Sequence, residues 1–241
     1  MIKLEKGDKP PYLKEEKVKE LTEKFKLNQK STVWKHTEII EYLLKSSNFK
    51  CAYCECQLQI EDSYMEVEHF KCKSLYPDNV VDWNNLLPSC ERCNKKKRNL
   101  DVVATPIINP YEEDPKLYLS IENYYLYAKG GEDSKGQKTI DCLDLNDERL
   151  VLAIFNVCKN INRDMIKLAR NIDDIILVRN GISTTLQLCQ PDKAFSAFLA
   201  FTLLNNKDTK IIKQVLIDND LWDDDLNEMY ETCKKIALDS R

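Results

Sequence analysis

Two pairs of cysteines are the residues whose spacing says most about chemistry. Cys51 and Cys54 form one Cys-x-x-Cys pair, Cys90 and Cys93 form a second, and thirty-five residues lie between the pairs. Each pair can present two thiolates from one turn, and four thiolates complete a closed, tetrahedral zinc site. A redox dithiol needs only one such pair, so the spacing predicts a structural zinc ion bound by all four cysteines.

The other six cysteines carry a weaker signal. Cys56 and Cys72 could substitute as zinc ligands, but neither has a partner at the right spacing. Free cysteine behaves as a small hydrophobic residue. We therefore expect the remaining cysteines to belong to the core; they are Cys142, Cys158, Cys189 and Cys233.

A histidine and two oxygen donors lie close to the cysteine pairs. Glu68-His69 stands between the pairs, and Asn94 directly follows Cys93. Hydrolysis of a phosphodiester needs a base that takes a proton from water, which a neutral imidazole can do. It also needs a divalent ion at the phosphate, held by hard oxygen ligands. We predict that His69 is the general base and that Glu68 and Asn94 bind Mg²⁺ or Mn²⁺.

Two features bear on the role predicted for His69: the direction of its neighbour Glu68 and the presence of a second histidine. Neighbouring residues on a strand point to opposite faces, so Glu68 and His69 converge only if the chain bends or bulges there. The chain has one other histidine, His36, which stands in a helical pattern beside Trp34 and is predicted to be structural.

Basic residues are concentrated around this motif. The net charge of the chain is −4, but seven basic and three acidic residues lie between positions 71 and 98. A local basic patch suits a phosphate site, because lysine and arginine give affinity for the nucleic-acid backbone without reading sequence. Lys97 follows Asn94 by one helical turn on the same face. We predict Lys97, Arg98 and Lys73 as nucleic-acid contacts.

Helices are predicted on both sides of the motif. Apolar residues at helical spacing predict one helix over residues 12–27 and a second that begins after Ser31 or Thr32 and ends at Asn48. After the motif, residues 117–128 and 137–143 are predicted to form two strands of a hairpin around the glycines at 130, 131 and 136.

The C-terminal part is predicted to be entirely helical. One long helix starts at Asn146 or Asp147 and stops at Gly181, with a break near residues 160–162. Further helices follow Pro191-Asp192 and occupy residues 208–217 and 224–238. The fold class is therefore α+β, in four parts: an N-terminal helical arm (1–48), a zinc-stapled core (49–103), a linker with a β-hairpin (104–145) and a helical region (146–241).

Composition limits the classes of protein that fit. The hydrophobic fraction of 43% and the charged fraction of 32% are typical of a folded soluble protein. The longest nearly apolar run, residues 194–204, is too short to cross a bilayer, and the N-terminus has no apolar signal region. We therefore expect a cytoplasmic protein that has no membrane partner.

Taken together, Cys-x-x-Cys, Glu-His, Asn-Leu and Cys-x-x-Cys-Asn-x-x-Lys resemble the zinc-containing branch of the HNH endonuclease family. The resemblance covers about residues 49–100 and implies a ββα-metal fold with His69 on or just after the first strand. It implies that His69 is the general base, that Glu68 and Asn94 bind the catalytic ion, and that Asn85 orients the loop carrying His69. Asn94 stands where the family often has a second histidine, and Glu68 where many members have aspartate.

The flanking residues resemble one subfamily of HNH proteins. The segments MIKLEKGDKPP, CAYCECQL and IINPYEEDP resemble those of standalone bacterial proteins encoded beside a RecF-like or SMC-like ATPase. That group includes the nuclease subunit of Septu-type anti-phage defence systems, some of them linked to retrons. The resemblance spans roughly residues 1–145 and implies an ATPase partner and invading or host nucleic acid as the substrate. We expect DNA more than RNA, a choice that the sequence leaves open.

Two alternative functions stay open. A self-sufficient, restriction-like endonuclease would carry its own target-recognition region, but the last stretch, residues 218–241, has eight acidic and three basic residues. A zinc module that binds protein or nucleic acid without cutting would explain the cysteines and lysines, but would not require Glu-His, Asn-Leu and Asn-Lys at these positions.

Overall fold

The computed structural model describes residues 1–59 and 64–241, which form two compact units. Unit 1 contains residue 1 and residues 3–118 and 128–145, and unit 2 contains residue 2 and residues 119–127 and 146–241. Helices and small sheets occur together, which confirms the predicted α+β class.

Unit 1 has a ββα motif at its centre. Strands β1 (Met65–His69) and β2 (Leu86–Cys90) pair antiparallel, with Met65 opposite Cys90 and His69 opposite Leu86. Helix α3 (Glu91–Lys97) follows β2 without a break. The flanking helices are α1 (Glu15–Leu27) and α2 (Thr37–Ser46) before the motif and α4 (Lys135–Leu143) after it.

The N-terminal helices share their core with the ββα motif. Leu21 and Phe25 of α1 and Ile39 and Leu43 of α2 are buried in one cluster with residues of the 80–86 segment. That cluster also contains Leu13, Val33, Trp34, Val80, Val81, Trp83 and Leu86. The apolar faces of α1 and α2 are therefore used inside unit 1.

Helix α2 begins later than the sequence predicted. Its N-cap is His36, whose Nδ1 accepts a hydrogen bond from the backbone N–H of Glu38 at 3.3 Å. The His36 ring stacks on Tyr12, with 3.5 Å between ring centroids, and this contact holds it at the cap. Ser31 and Thr32 were therefore wrong as caps, because residues 33 and 34 are needed in the core before the helix starts. The prediction that His36 is structural agrees with these contacts.

Residues 137–143 are helical, which corrects the predicted second strand. Ser134 caps α4 by accepting a hydrogen bond from the N–H of Gln137. Thr139, Ile140 and Leu143 are buried at helical spacing, so the β-branched residues that indicated a strand instead fill one helix face. Gly136 belongs to this helix: a Cβ there would lie 2.4 Å from the carbonyl oxygen of Tyr118.

Unit 2 consists of a small sheet and a group of helices. The sheet is β3 (Leu119–Glu122) between β4 (Tyr125–Ala128) and β5 (Asp239–Ser240), and β5 runs parallel to β3. The predicted hairpin around the glycines at 130, 131 and 136 was wrong: residues 117–128, predicted as one strand, themselves fold back as β3 and β4, with Asn123 and Tyr124 at the turn. The helices are α5 (Glu148–Arg170), α6 (Ile175–Leu188), α7 (Ser196–Asn205), α8 (Lys207–Asp218) and α9 (Asp224–Ile236).

The break between the first two of these helices is displaced from the prediction. α5 continues through residues 160–162 because Cys158, Ile161 and Met165 keep burying one face at helical spacing. It ends at Asn171, and Asp174 then caps α6 by accepting a hydrogen bond from the N–H of Leu177. Within the described ranges of the chain, no helix combines the length and the apolar character needed to span a membrane.

Candidate functional site: a thiol cluster beside a two-faced strand

A cluster of thiols lies where the two Cys-x-x-Cys segments meet. The Sγ atoms of Cys51, Cys54, Cys56 and Cys90 all lie within 4.8 Å of one another. The backbone N–H of Cys51 donates to the carbonyl of Cys56, which closes a tight turn, and the N–H of Ala52 donates to the carbonyl of Pro88, each at 2.9 Å. Buried soft thiolates gathered in this way fit a structural zinc ion.

The fourth zinc ligand has two candidates. Cys93 is fully buried beside the cluster. Its backbone N–H donates to the Sγ of Cys90 at 3.5 Å, and the Sγ of Cys93 accepts from Arg92 Nη2 at 3.5 Å. Cys56 comes within the 4.8 Å group because Glu55, at φ 61°, turns the chain back toward Cys51. Sequence spacing alone favours Cys93, and the identity of the fourth ligand stays a prediction.

His69 ends β1 with its side chain buried at 5% exposure. Its Nε2 lies 3.0 Å from the carbonyl oxygen of Val80. A carbonyl only accepts hydrogen bonds, so Nε2 carries the hydrogen and Nδ1 keeps its lone pair. Burial and the nearby ammonium of Lys73 lower the pKa of His69 to about 3. The imidazole is therefore neutral near pH 7, so Nδ1 can accept a proton, although a pKa this low makes it a weak base in the absence of bound ligands.

An aromatic side chain from the N-terminal part of unit 1 packs against His69. Trp34 meets the imidazole edge-on, with 4.7 Å between ring centroids. Lys73 Nζ lies 4.9 Å from the centroid of the Trp34 ring. The base is thus shielded by Trp34, a residue outside the motif, which sequence spacing could not connect with His69.

The carboxylates of β1 lie on the other face of the strand. β1 and β2 pair residue by residue without a bulge, so Glu66 and Glu68 share one face while Val67 and His69 share the opposite one. Glu68 is buried and pairs with Lys97, with 2.5 Å between Nζ and Oε1. β1 pairs with β2 without a bulge as far as His69, and the chain bends directly after it, at Phe70 and Lys71.

Asn94 is brought to Glu66 rather than to Glu68. The Nδ2 group of Asn94 donates a hydrogen bond to a carboxylate oxygen of Glu66, a residue that the motif analysis did not select. Burial raises the pKa of Glu68 to about 6, although Lys97 acts to lower it. Glu66, Glu68 and Asn94 together offer hard oxygen donors on one face, and this donor chemistry fits Mg²⁺ or Mn²⁺ better than zinc.

Asn85 organises the segment that follows His69. Its Oδ1 accepts from the backbone N–H of Lys71 at 2.7 Å, and its Nδ2 donates to the carbonyls of Lys71 and Asn79 at 3.1 and 2.9 Å. The backbone N–H of Phe70 donates to the carbonyl of Asn85 at 2.9 Å. This buried side chain thereby connects both ends of the loop between β1 and β2.

The three predicted nucleic-acid contacts have different environments. Lys97 is buried, and its Nζ also donates to the carbonyl of His69 at 2.9 Å. Arg98 is exposed just after α3, at φ 51°. Lys73 is half-buried over Trp34. A phosphate contact by any of these residues stays a prediction, and for Lys97 it would require release from Glu68.

Comparison with known proteins agrees with the motif. Residues 51–100 match the family described as HNH endonuclease. The chain is 37% identical to Septu protein PtuB of Bacillus thuringiensis, over 99% of this chain and 95% of that protein. It is 26% identical to Septu protein PtuB of Bacillus mycoides, over 64% of this chain and 62% of that protein.

Proposed function

Since the chain belongs to the family of Septu protein PtuB and carries an HNH endonuclease domain, we propose that it is a metal-dependent endonuclease that hydrolyses phosphodiester bonds of nucleic acid. The observation that carries the proposal is the state of His69. Its Nε2–H is committed to the carbonyl of Val80, which leaves an unprotonated Nδ1 as the acceptor for a proton from water.

We propose that the chemistry is shared among His69, Asn85, Glu68 and Asn94. His69 accepts the proton, and Asn85 holds the loop that follows it in place. Glu68 and Asn94 would hold Mg²⁺ or Mn²⁺. A bound divalent ion supplies charge compensation at the phosphate.

A substitution of His69 tests this function. His69→Asn keeps a buried polar side chain, and we expect cleavage of plasmid DNA with Mg²⁺ or Mn²⁺ to fall by about 10²–10⁴-fold, the usual loss when a general base is removed. The matched control is His36→Asn, because asparagine still caps a helix. Zinc content and melting temperature are measured on both variants, and an RNA substrate is tested in parallel. A folded His69→Asn protein that cleaves at the wild-type rate would show that His69 is not the base.

We propose further that the nuclease is the effector of an anti-phage defence complex in the bacterial cytosol, controlled by a RecF-like or SMC-like ATPase. Relatedness to Septu protein PtuB supports the defence role. Unit 2 supports the partner, because its helices expose several large apolar side chains; these are Leu152, Ile166, Ile176, Leu177, Ile211 and Ile217. A self-sufficient endonuclease is the alternative, and it would cleave at full rate without any partner.

A further inference from the structure

Glu66 is a carboxylate that stands outside the Glu-His motif yet contacts one of its proposed metal ligands. We propose that Glu66 is a positioning residue: it fixes the side-chain amide of Asn94 so that Oδ1, and not Nδ2, is presented to a divalent cation. The proposal rests on the proposed function, because it assigns Asn94 to the metal site.

The first step is the arrangement of β1 against α3. Glu66 and Glu68 alternate with Val67 along an unbulged strand and therefore share a face. Asn94 and Lys97 lie one turn apart on α3, on a single side of that helix. The contacts are paired in order: Asn94 with Glu66, and Lys97 with Glu68. Each carboxylate of the strand thus has its own partner on the helix.

The second step is the chemistry of the amide. A carboxylate only accepts hydrogen bonds, so the group of Asn94 that faces Glu66 must be Nδ2. The two ends of an amide are related by a rotation about χ2 that costs little when neither end has a partner. With Nδ2 held by Glu66, Oδ1 is directed away from Glu66. The hydrogen bond therefore selects the orientation in which the amide acts as an oxygen ligand.

The third step concerns χ2 of Asn94, which the neighbouring contacts in the site leave undetermined. Cys93, buried and adjacent in sequence, fixes the backbone of α3 and hence the Cα of Asn94. It does not fix χ2 of Asn94. Lys95 pairs with Glu91 on the outer side of α3, so it does not take the place of Asn94 at Glu66. Glu66 and Asn94 are both half-buried, which keeps their hydrogen bond partly sheltered from water.

Binding of Mn²⁺ by the zinc-loaded full-length protein tests the proposal, with free Mn²⁺ measured by electron paramagnetic resonance. Partners that orient metal ligands typically contribute 10–100-fold to metal affinity. We therefore expect Glu66→Ala to weaken Mn²⁺ binding by about 10-fold or more. Glu66→Gln keeps an oxygen that accepts from Nδ2, and we expect it to restore binding to about the wild-type level. Glu91→Ala removes an equal charge from α3 and should leave the affinity unchanged.

Two further arms separate this inference from the proposed function. Glu68→Ala should abolish Mn²⁺ binding, and if it does not, the metal site itself is wrong and both proposals fail. If Glu68→Ala abolishes binding but Glu66→Ala does not weaken it, only the role of Glu66 is overturned. Equal losses in Glu66→Ala and Glu66→Gln would make Glu66 a charged ligand and would also overturn the positioning role. Zinc content and melting temperature identify any variant whose loss comes from misfolding.

Discussion

Lys6 shows how strongly a single residue can be affected by its surroundings. Its Nζ lies 4.2 Å from the ring centroid of Trp83 and 4.3 Å from that of Tyr111, and it donates a hydrogen bond to the carbonyl of Leu86 in β2. Burial lowers the pKa of Lys6 to about 7, against a smaller opposing effect of Asp82. The N-terminal segment is thus attached to the nuclease motif by a cation held between two rings.

This pKa shift predicts a pH dependence of stability. Between about pH 7 and the ordinary lysine pKa near 10.4, the unfolded chain binds more protons at this position than the folded chain, so the free energy of unfolding rises with pH. Lys6→Met removes that contribution. We expect the stability of wild type relative to Lys6→Met to rise by on the order of 2 kcal/mol from pH 7 to pH 9.5.

Denaturant unfolding of zinc-loaded protein at the two pH values measures this difference. Lys9→Met is the matched control, since Lys9 is exposed on the same segment. A stability difference between wild type and Lys6→Met that stays constant with pH would contradict the lowered pKa.

Residue spacing identified the motif but not the geometry around it. His69, Asn85 and the cysteine pairs stand out because their types and intervals are specific. Glu66 was missed because only the neighbour of His69 was considered, although the two-residue period of a strand already places Glu66 beside Glu68. The contact of Trp34 with His69 could not be predicted, because it depends on how residues 33–36 pack before α2.

At the scale of elements, the thiol cluster joins the start of the motif to the start of α3. Cys54 and Cys90 are 3.7 Å apart at Sγ, although thirty-five residues separate the two pairs in sequence. Lys50 and Glu55 support the turn between Cys51 and Cys56 with a buried ion pair of 2.9 Å. A zinc ion here would hold together two segments that lie far apart in the sequence.

The cysteines of this cluster should therefore affect folding before chemistry. We expect Cys90→Ser and Cys54→Ser to lose zinc and to melt about 10 °C or more below wild type, as a loss of several kcal/mol would produce in a chain of this size. Metal analysis and thermal melting provide the measurement, with Cys142→Ser as the control. A Cys90→Ser protein with full zinc and a normal melting temperature would exclude Cys90 as a ligand.

The fourth ligand is decided by a matched pair of variants. The Cys-x-x-Cys spacing predicts that Cys93→Ser loses zinc whereas Cys56→Ser retains it. The opposite result would assign the ion to the group of thiols that includes Cys56.

Two predictions of secondary structure were wrong because they did not include tertiary packing. Residues 137–143 carry β-branched side chains, but Ser134 caps a helix there and Gly136 allows close approach to Tyr118. Asn160 and Asn162 suggested a break in α5, yet the buried face of that helix continues past them. In both cases packing on one face outweighed local preference, which a single sequence does not reveal.

At the scale of the whole molecule, apolar surface is distributed unequally between the helical flanks. The helical flanks on both sides of the nuclease motif are the parts of the chain that could dock a partner. The apolar faces of α1 and α2 are buried in unit 1, so removal of residues 1–45 would also remove part of the core around His69. α1 exposes one large apolar side chain, Leu27, at its C-terminal end, whereas the helices of unit 2 expose several, among them Leu152 and Ile176 at 58% each. We therefore propose unit 2 as the docking surface for the proposed ATPase.

Replacing an exposed leucine or isoleucine changes the folding stability of an isolated protein little. At an interface, the same replacement removes apolar area that binding would bury and so weakens binding. We expect Leu152→Ser combined with Ile176→Ser to leave the melting temperature within about 2 °C of wild type, because exposed side chains contribute little to stability. The amount of the proposed ATPase that co-purifies should fall at least about 10-fold, which corresponds to a loss of about 1.4 kcal/mol of binding free energy. Asn160→Ser, an exposed polar position on α5, should bind like wild type.

The cleavage rate of the same samples distinguishes a nuclease that is controlled by the ATPase from a self-sufficient endonuclease. If the ATPase regulates the enzyme, the double variant should cleave at the same rate with and without the ATPase, whereas the wild-type rate should change when it is added. The acidic C-terminal stretch is consistent with this division of roles, because eight acidic against three basic residues disfavour contact with nucleic acid in that region. A wild-type chain that ignores the ATPase and cleaves at full rate alone would establish the self-sufficient endonuclease instead.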